Sequence, residues 1–455
     1  MARQQPSRVA DDAPERQTVL HSWCIQSEWN APTVVGGEGA RLFIADGRTI
    51  LDMSSLAECS NLGHQHPRLV AAIRAQAQRL CFVTSAWGAE PRARLASLLL
   101  DEAGWPGGRV FFTLGGADAN EHAVKFVRAA SGKPRGWVIT RERSYHGASY
   151  AAMALSGDTR TEAQVDCGSF GVRHVPPPYA YRCPFGTASA PECAAAAVRH
   201  VEQVIGELGA GKVAAVMMEP NAGTNGIVAP DEFWPALRAA TRASGVGLIA
   251  DEVMSAFGRC GEWFAWQRYG ADARPDAMTL AKGLTGAHLP LGAVVLGAEL
   301  ARALEPQMLM TGLTYCGHPL ACAAGVAAIE SYREEALIER SRRLGASMLA
   351  ELKRMQARHL VIGDVRGGHG LFAVVELVSD RLTREPLAPW PQQHRSLGRL
   401  LERAMERGVS FAARGNLLLL APPLVISERE LAGALALLDE LLGELTLSLA
   451  GEHCA

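Results

Sequence analysis

The feature that most limits the fold of this chain is a series of short apolar runs, each followed by a stretch with helical spacing. Six such runs lie between residues 60 and 330: RVFFTL (109–114), GWVIT (136–140), KVAAVMME (212–219), VGLIADE (246–252), AMTLA (277–281) and GAVVLG (292–297). The runs are continuous instead of alternating, which is typical of strands buried on both faces of a parallel sheet. Strands that alternate with helices predict an α/β domain with a mostly parallel central sheet.

The two ends of the chain have a different pattern. Residues 34–52 contain short strand-like segments, with Asp46-Gly47 as a hairpin turn. After residue 330 come a long helical stretch, the strands LFAVVEL (371–377) and LLLLAP (417–422), and a last helix that opens with the capping box Ser427-x-x-Glu430. We therefore expect residues 61–330 to form a large domain, and residues 1–60 and 331–455 to build a smaller α+β domain together.

The charge balance excludes nucleic acid and acidic membranes as partners. The 45 Lys and Arg residues nearly cancel the 47 Asp and Glu residues, which leaves a net charge of −2. No stretch approaches the roughly 18 continuous apolar residues of a membrane helix, and the N-terminus has no apolar signal core. The ten cysteines include no Cys-x-x-Cys pair. We expect a cytoplasmic protein whose partner is a small molecule.

A pair of glycines follows the first of the apolar runs. Gly115-Gly116-Ala117 leads into a helix that is predicted to begin near Asp118. Glycines before a helix N-terminus let backbone N–H groups approach a phosphate, and the helix dipole favours its charge. Taken alone, a Gly-Gly pair is more often a simple tight turn.

Carboxylates follow another of these runs. Asp251 and Glu252 come directly after VGLIA, at the end of a central strand, where open α/β sheets bind their ligands. A solvated strand end or a helix cap is an equally good explanation of acids in this position.

Lysine is scarce in this chain, which makes one lysine conspicuous. The five lysines are residues 125, 133, 212, 282 and 353. Lys282 ends the apolar run AMTLA, precedes Gly283 and has no acidic neighbour in sequence. Partial desolvation at such a place favours the neutral amine, a nucleophile and Schiff-base former, although a strand-end lysine can also simply reach to solvent.

Two histidine motifs complete the set of candidates. Tyr145 and His146 of SYHG follow the strand GWVIT, where packing is the commoner role for such rings. His64-x-His66 has no third ligand at a fitting spacing, so no metal site is predicted. A phosphate cradle, a strand-end aspartate, a tyrosine and a lysine at one edge of a sheet are together the parts that hold pyridoxal phosphate.

Longer motifs identify a family. FFTLGGADANEHAVKFVR, SYHG, VMMEPNAGTNGIV, LIADEVMSAFGRCGEWFA, DAMTLAKGLTGAHLPLGAVV, GLTYCGHPLACAA, VRGGHGLF and APPLVI together resemble the class III (omega) aminotransferases, which are fold type I pyridoxal phosphate enzymes. HSW and TREPLAPW resemble the taurine–pyruvate and amine–pyruvate branch. The resemblance spans residues 20–445 and implies a homodimer with shared active sites.

The resemblance also implies roles for single residues. Lys282 would be the Schiff-base lysine and catalytic residue, and Asp251 the partner of the pyridine nitrogen. The other implied cofactor contacts are Gly116 and Ala117 at the phosphate, Tyr145 and Val253 on the two ring faces, and Thr314 at the phosphate of the neighbouring subunit. Glu219 would lie on the substrate side, and Trp23 and Trp87 are candidates for the donor pocket.

Two positions depart from the family pattern. Gly115-Gly116-Ala117-Asp118 stands where the family has Ser-Gly-Ser/Ala-Glu, so a serine hydroxyl and the reach of the glutamate are lost. Leu419 stands where members that bind an α-carboxylate often have arginine, and Arg414 is the nearby substitute for binding the keto acid.

The expected function is amino-group transfer from an amine or ω-amino donor to an α-keto acid, with pyruvate as the expected acceptor, in a ping-pong cycle. A decarboxylase, an aminomutase or a racemase would use the same lysine and aspartate, so these remain alternatives. A non-catalytic binding subunit with this fold is the remote alternative.

Overall fold

The computed structural model describes residues 15–162, 170–367 and 369–452. Its strands are β1 Val34–Glu38, β2 Arg41–Ile44, β3 Thr49–Asp52, β4 Arg109–Thr113, β5 Trp137–Arg141, β6 Val172–Val175, β7 Val213–Met218, β8 Asn221–Ala222, β9 Ile227–Val228, β10 Gly247–Asp251, β11 Ala277–Leu280, β12 Gly292–Leu296, β13 Ile362–Gly367, β14 Ala373–Asp380, β15 Glu385–Pro386, β16 Val409–Ser410, β17 Ala412–Arg414 and β18 Leu417–Leu420.

Helices surround these strands. They are α1 Glu15–Thr18, α2 Ser55–Glu58, α3 Pro67–Arg79, α4 Glu90–Ala103, α5 Gly116–Ala130, α6 Tyr150–Leu155, α7 Thr159–Glu162, α8 Ala190–Leu208, α9 Phe233–Ala243, α10 Ala298–Leu304, α11 Pro319–Glu334, α12 Leu337–Arg358, α13 Arg395–Glu406 and α14 Glu428–Glu452.

The central sheet has seven strands in the order β4-β12-β11-β10-β7-β5-β6. All six apolar runs of the sequence are strands of this sheet. Pairs within β11-β10-β7-β5-β6 are parallel, whereas β12 is antiparallel to both of its neighbours. The prediction of a mostly parallel sheet is therefore confirmed.

Both faces of the central sheet are buried. Successive residues of one strand join different apolar clusters: Val216 and Leu248 face one side, and Met217 and Ile249 face the other. Side chains alternate across a strand, so a strand covered by helices on both faces needs apolar residues at every position. This burial explains the continuous runs in the sequence.

Both ends of the chain meet in the smaller part of the fold. β16 pairs in parallel with β3 and joins a sheet with β1 and β2, while β13, β14, β18 and β17 form a second sheet. Asp46-Gly47 forms the predicted hairpin turn, with Gly47 at φ +94°. Ser427 and Glu430 form the predicted capping box of α14. The α+β unit built from both ends is confirmed, and its boundaries at residues 60 and 330 stay a prediction.

Three details differ from the sequence prediction. The edge strand β6, with only two buried residues, has no continuous apolar run and was missed. β13 was also missed. Helix α5 begins at Gly116, two residues before Asp118, because glycine and alanine here already have helical backbone geometry.

Within the described residues, no helix is long and apolar enough to cross a membrane. Nor does the described part of the chain hold a group of three or more His, Cys, Asp or Glu arranged to bind a metal ion. His64 and His66 each contact a carboxylate of their own, Asp52 and Glu335 respectively.

Candidate active site

A cavity of about 220 Å³ lies at the carboxyl ends of the central strands. It is lined by Gly116, Ala117, Asn120, Tyr145, His146, Gly147, Ala148, Glu219, Gly223, Thr224, Asp251, Val253, Met254, Ala281 and Lys282. The edge of the sheet thus brings together motifs that are separated by up to 166 positions in sequence. A larger groove of about 370 Å³ between α12 and α14 contains none of the predicted residues.

The N-terminus of α5 forms one wall of this cavity. Asp118 accepts hydrogen bonds from the backbone N–H groups of Leu114 (2.7 Å) and Gly115 (2.8 Å). Its carboxylate therefore caps the preceding turn. The N–H groups of Gly116 and Ala117 belong to the first turn, which has no intrahelical acceptors, and remain available to an anion.

Glycine is required at position 116 because there is little room for a side chain. A Cβ atom at Gly116 would lie 2.9 Å from a methyl group of Val253. Any side chain here would displace Val253 from the cavity.

Asp251 lies opposite the helix N-terminus and is 3% exposed. Its Oδ2 atom is 2.6 Å from Nδ1 of His146 and accepts a hydrogen bond from Nδ2 of Asn120 at 2.8 Å. Its Oδ1 atom accepts from the backbone N–H of Val253 at 3.0 Å. Three neutral or titratable donors hold this carboxylate without neutralising it by an arginine or lysine, so it can still bind a protonated ring nitrogen.

Lys282 lines the same cavity. Its backbone φ is +44°, a value that residues other than glycine rarely adopt. Its Nζ atom is 2.9 Å from Oε2 of Glu58, and its side chain is 22% exposed. Burial disfavours the ammonium, but the nearby carboxylates of Glu58 and Asp251 outweigh it and raise the pKa of Lys282. The sequence predicts only partial desolvation of Lys282, and the structure adds a counter-charge from an acid 224 positions away.

Tyr145 and Glu219 complete the lining of the cavity. Burial raises the pKa of Tyr145, so its hydroxyl stays neutral. Oε2 of Glu219 accepts a hydrogen bond from Nη2 of the buried Arg141 at 2.6 Å. Burial raises the pKa of Glu219, and Arg141 opposes that rise.

Beside Tyr145 lies a cluster of two arginines and one aspartate. Asp158 accepts hydrogen bonds from Nη2 of Arg414 at 2.7 Å and from Nη2 of Arg160 at 2.9 Å. The guanidinium of Arg160 lies 4.1 Å from the ring centre of Trp23, which contacts Tyr145 edge-on at 6.1 Å. Two guanidinium groups therefore bind the same carboxylate.

Arg414 keeps unused donors in this cluster. Its Nε and Nη1 atoms are buried and, among the described residues, have no hydrogen-bond partner. Leaving such donors unpaired is costly, which favours an anion that reaches them. Leu419, at the position of the family arginine, is instead buried in an apolar cluster with Met254, Phe372 and Val374.

The family model described as Aminotransferase class-III matches residues 26–442. The chain is a class-III aminotransferase. Putrescine–pyruvate aminotransferase of Pseudomonas aeruginosa is 34% identical over 414 residues, which cover 89% of each chain. Leucine/methionine racemase of Thermococcus litoralis is 34% identical over 430 residues, which cover 93% of each chain.

A solved structure of taurine:2-oxoglutarate aminotransferase from Bifidobacterium kashiwanohense, in complex with PLP and glutamate, is also similar. It is 35% identical, has a TM-score of 0.90 and covers 96% of this chain and 97% of its own. The predicted fold type I architecture and family are therefore confirmed. This class-III aminotransferase uses pyridoxal phosphate to move an amino group from an amine donor to a keto acid.

The lining of the cavity fits this cofactor chemically. The free N–H groups of the α5 N-terminus suit a phosphate, the buried Asp251 suits a protonated pyridine nitrogen, and the Lys282 amine suits an aldehyde. The 2.9 Å approach of a Gly116 Cβ to Val253 means that bare backbone is needed where the phosphate would lie.

The structure brings most of the predicted residues of the aminotransferase together, but two lie elsewhere in the subunit. Gly116, Ala117, Tyr145, Glu219, Asp251, Val253 and Lys282 line the cavity. Thr314 and Trp87 are exposed and do not line it within one chain. Trp23 and Arg414 lie in the adjacent cluster around Asp158.

Sequence reasoning missed Glu58, Asn120, Arg141, Asp158 and Arg160. Asn120 could have been found, because it lies one helical turn after Gly116 and thus faces the same side of α5. Arg141 could also have been found, because it directly follows the apolar run GWVIT at a strand end. Nothing near Glu58, Asp158 and Arg160 in sequence links them to the site.

Proposed function

We propose that the residues assigned from the family resemblance have the same roles in this aminotransferase. Lys282 is the residue that binds and releases the cofactor aldehyde, and Asp251 is the partner of the pyridine nitrogen. Gly116 and Ala117 bind the phosphate, and Tyr145 and Val253 cover the two faces of the ring. The observation that supports this proposal is that one cavity is lined by all six of these residues.

The chemical work divides between cofactor and protein. When bound, pyridoxal phosphate supplies an electron sink for the pair of electrons left behind when a C–H bond of the donor is broken. Asp251 maintains that sink by holding the ring nitrogen protonated. Nζ of Lys282 removes the proton from the donor carbon and returns it at a second carbon, as general base and then general acid.

We infer a donor that lacks an α-carboxylate. Leu419 removes a guanidinium from the place where the family often binds that group, and its apolar neighbours offer no other cation. Amines, ω-amino acids and sulfonate-bearing amines such as taurine fit this site, and Glu219 with Arg141 and Trp23 would border the donor. Trp87 is proposed for the donor pocket on the sequence pattern alone.

The experiment for this proposal follows the half-reaction of the purified holoenzyme. Single amines are added without a keto acid, and the loss of the visible absorbance of the bound cofactor is recorded. We expect loss with putrescine, taurine or other ω-amines, little loss with α-amino acids other than alanine, which is the product formed from pyruvate, and recovery on addition of pyruvate in a ping-pong cycle. No loss with any amine, or release of carbon dioxide, would contradict the proposal.

The acceptor is proposed to be pyruvate, bound through its carboxylate by Arg414. The unpaired Nε and Nη1 donors of Arg414 support this role. 2-Oxoglutarate is the acceptor to compare with pyruvate, because one similar solved structure is a taurine:2-oxoglutarate aminotransferase. The ratio of kcat/KM for the two keto acids decides between them.

Replacing Arg414 with glutamine is expected to raise the KM for the keto acid about 10- to 100-fold, because a charge-assisted hydrogen bond contributes about 1.5–3 kcal/mol. The rate of the half-reaction with an amine that carries no acidic group should change by less than about threefold. Arg384→Gln, an exposed arginine that donates to the carbonyl of Tyr181, is the control. An unchanged KM for the keto acid in the Arg414 variant would contradict the assignment.

A racemase remains a second candidate because one similar relative is a leucine/methionine racemase. Racemisation uses the same lysine but needs no keto acid. Incubation of single L-amino acids with holoenzyme alone, followed by chiral chromatography, separates the two functions. Appearance of the D-enantiomer without a keto acid would favour racemisation.

We propose a homodimer in the cytoplasm. Thr314 is exposed, and its neighbours Met308, Leu309, Met310 and Tyr315 form an exposed apolar segment of the kind that a partner subunit covers. Light scattering should give about twice the 48.6 kDa chain mass. Thr314→Ala should then weaken phosphate binding by about 10-fold, the effect of one lost hydrogen bond. A monomer that retains full activity would contradict shared sites.

A further inference from the structure

A buried carboxylate lies next to the lysine amine, and nothing in the family pattern or the sequence analysis assigns it a role. The side chain of Glu58 is 7% exposed, and its Oε2 atom lies 2.9 Å from Nζ of Lys282. Lys282 is its one hydrogen-bond donor within the described ranges. The charge of Glu58 is therefore balanced by Nζ of Lys282, the atom that transfers the proton in the proposed function.

The backbone around Glu58 is rigidly held. Four successive residues, Ser55 to Glu58, have φ between +47° and +66°, a conformation that L-residues avoid. The fully buried Arg259 donates from Nη2 to Oγ of Ser55 (2.9 Å) and to Oδ1 of Asn61 (2.8 Å), one on each side of Glu58. This brace keeps the carboxylate at the amine.

We propose that Glu58 is a positioning residue for Lys282, which orients the amine and stabilises its ammonium form during proton transfer. This inference rests on the proposed function. When Nζ takes the proton, the C–H bond of the donor breaks, an N–H bond forms, and the electron pair stays with the donor carbon and the electron sink. The positive charge that appears on Nζ lies against a fixed negative charge, so the buried pair is neutral.

The physical reason is electrostatic preorganisation. A carboxylate already in place next to a developing cation stabilises it without reorganisation, as an aspartate does for a catalytic histidine. The same carboxylate makes Lys282 the stronger base, because a nearby opposite charge favours the ammonium and raises the pKa of the amine.

The test uses Glu58→Gln, which keeps the shape and removes the charge. In the apoenzyme, the rate at which Lys282 captures pyridoxal phosphate is measured against pH by absorbance. Without the charge of Glu58, burial of the amine is opposed by Asp251 and no longer by the nearest carboxylate, so the amine loses its proton at lower pH. We expect the half-maximal rate to move down by about one pH unit or more.

The holoenzyme half-reaction supplies the second readout. With Glu58→Gln we expect a plateau rate about 10- to 100-fold lower, because the lysine is a weaker base, together with an acid limb shifted to lower pH. A purely structural role would lower the plateau and leave the acid limb in place. Glutamine can keep the hydrogen-bond geometry of Glu58, so a shift of the acid limb would come from the lost charge.

Two further variants keep the inference falsifiable. Asp52→Asn removes a buried charge from the same segment, where Asp52 contacts Ser54 and His64 but not Lys282, and should leave the capture profile unchanged. Glu58→Asp keeps the charge, and its profile should stay closer to the wild type than to Glu58→Gln. If Glu58→Gln does not fold, a Glu58→Asp profile shifted by one unit overturns the inference.

The outcomes separate this inference from the proposed function. An unshifted capture profile in Glu58→Gln overturns the role of Glu58 even if amines react normally. If no amine reacts with the wild type while the capture profile shifts, the proposed function fails and the effect of Glu58 on Lys282 stands.

Discussion

Replacing Lys282 with alanine is expected to lower the rate of amino-group transfer by about 10⁴-fold or more. General acid–base catalysis alone contributes about 10²–10⁴-fold, and the variant also loses the nucleophile that binds and releases the cofactor. The measurement is the rate of the donor half-reaction with holoenzyme reconstituted at saturating pyridoxal phosphate.

The chain offers matched controls for this variant. Lys125 lies on α5, is exposed and donates from Nζ to Oγ1 of Thr311 at 3.3 Å, so Lys125→Ala should retain activity within about threefold. Lys133 is less suitable, because its Nζ donates to three backbone carbonyls and supports the fold. After borohydride reduction, the wild type should carry the cofactor covalently and the Lys282→Ala variant should not. Near-normal activity in Lys282→Ala would contradict the assignment of the catalytic lysine.

Replacing Asp251 with asparagine is expected to lower the plateau rate of the half-reaction by about 10²–10³-fold, the usual effect of removing one preorganised electrostatic group. Asparagine has nearly the same shape, but its single carbonyl oxygen can accept from either Nδ2 of Asn120 or the N–H of Val253 and not from both. The lost negative charge no longer holds the ring nitrogen protonated, so the electron sink is weakened. His146, 2.6 Å from Oδ2, also loses its carboxylate partner.

A second, partly exposed carboxylate provides the control for Asp251. Asp276 pairs with Arg238 through two hydrogen bonds of 2.7 Å and does not line the cavity. Asp276→Asn should lower thermal stability and leave the rate of the folded enzyme within about threefold, because the lost pair only supports the fold. Equal rate losses in the two aspartate variants would argue against a specific role for Asp251.

The parts of the fold that the sequence predicted are those in which local pattern and burial agree. β7, β10 and β11 are continuous apolar runs because both sheet faces are covered, so their burial is visible in the sequence. β6 lies at the sheet edge, where exposed and buried residues mix, and it was missed for that reason. The antiparallel direction of β12 was equally invisible, because its apolar run resembles that of a parallel strand.

The candidate site was predictable where a residue follows a strand directly. Asp251 and Lys282 each come at the end of a buried strand, so the topology of a parallel sheet brings them to one edge. Arg414 was predicted only as a substitute for a missing arginine, and its shared ion pair with Asp158 came from the fold.

The sequence by itself thus determined the α/β architecture, the family and the residue types that hold the cofactor, because each depends on periodicity or on a short contiguous motif. Only the tertiary structure decided the charge state around Lys282. Glu58 reaches the amine through a left-handed turn held by Arg259, from a segment 224 positions before Lys282 in the sequence. Electrostatic interactions depend on distance in space and on burial, and neither follows from separation along the chain.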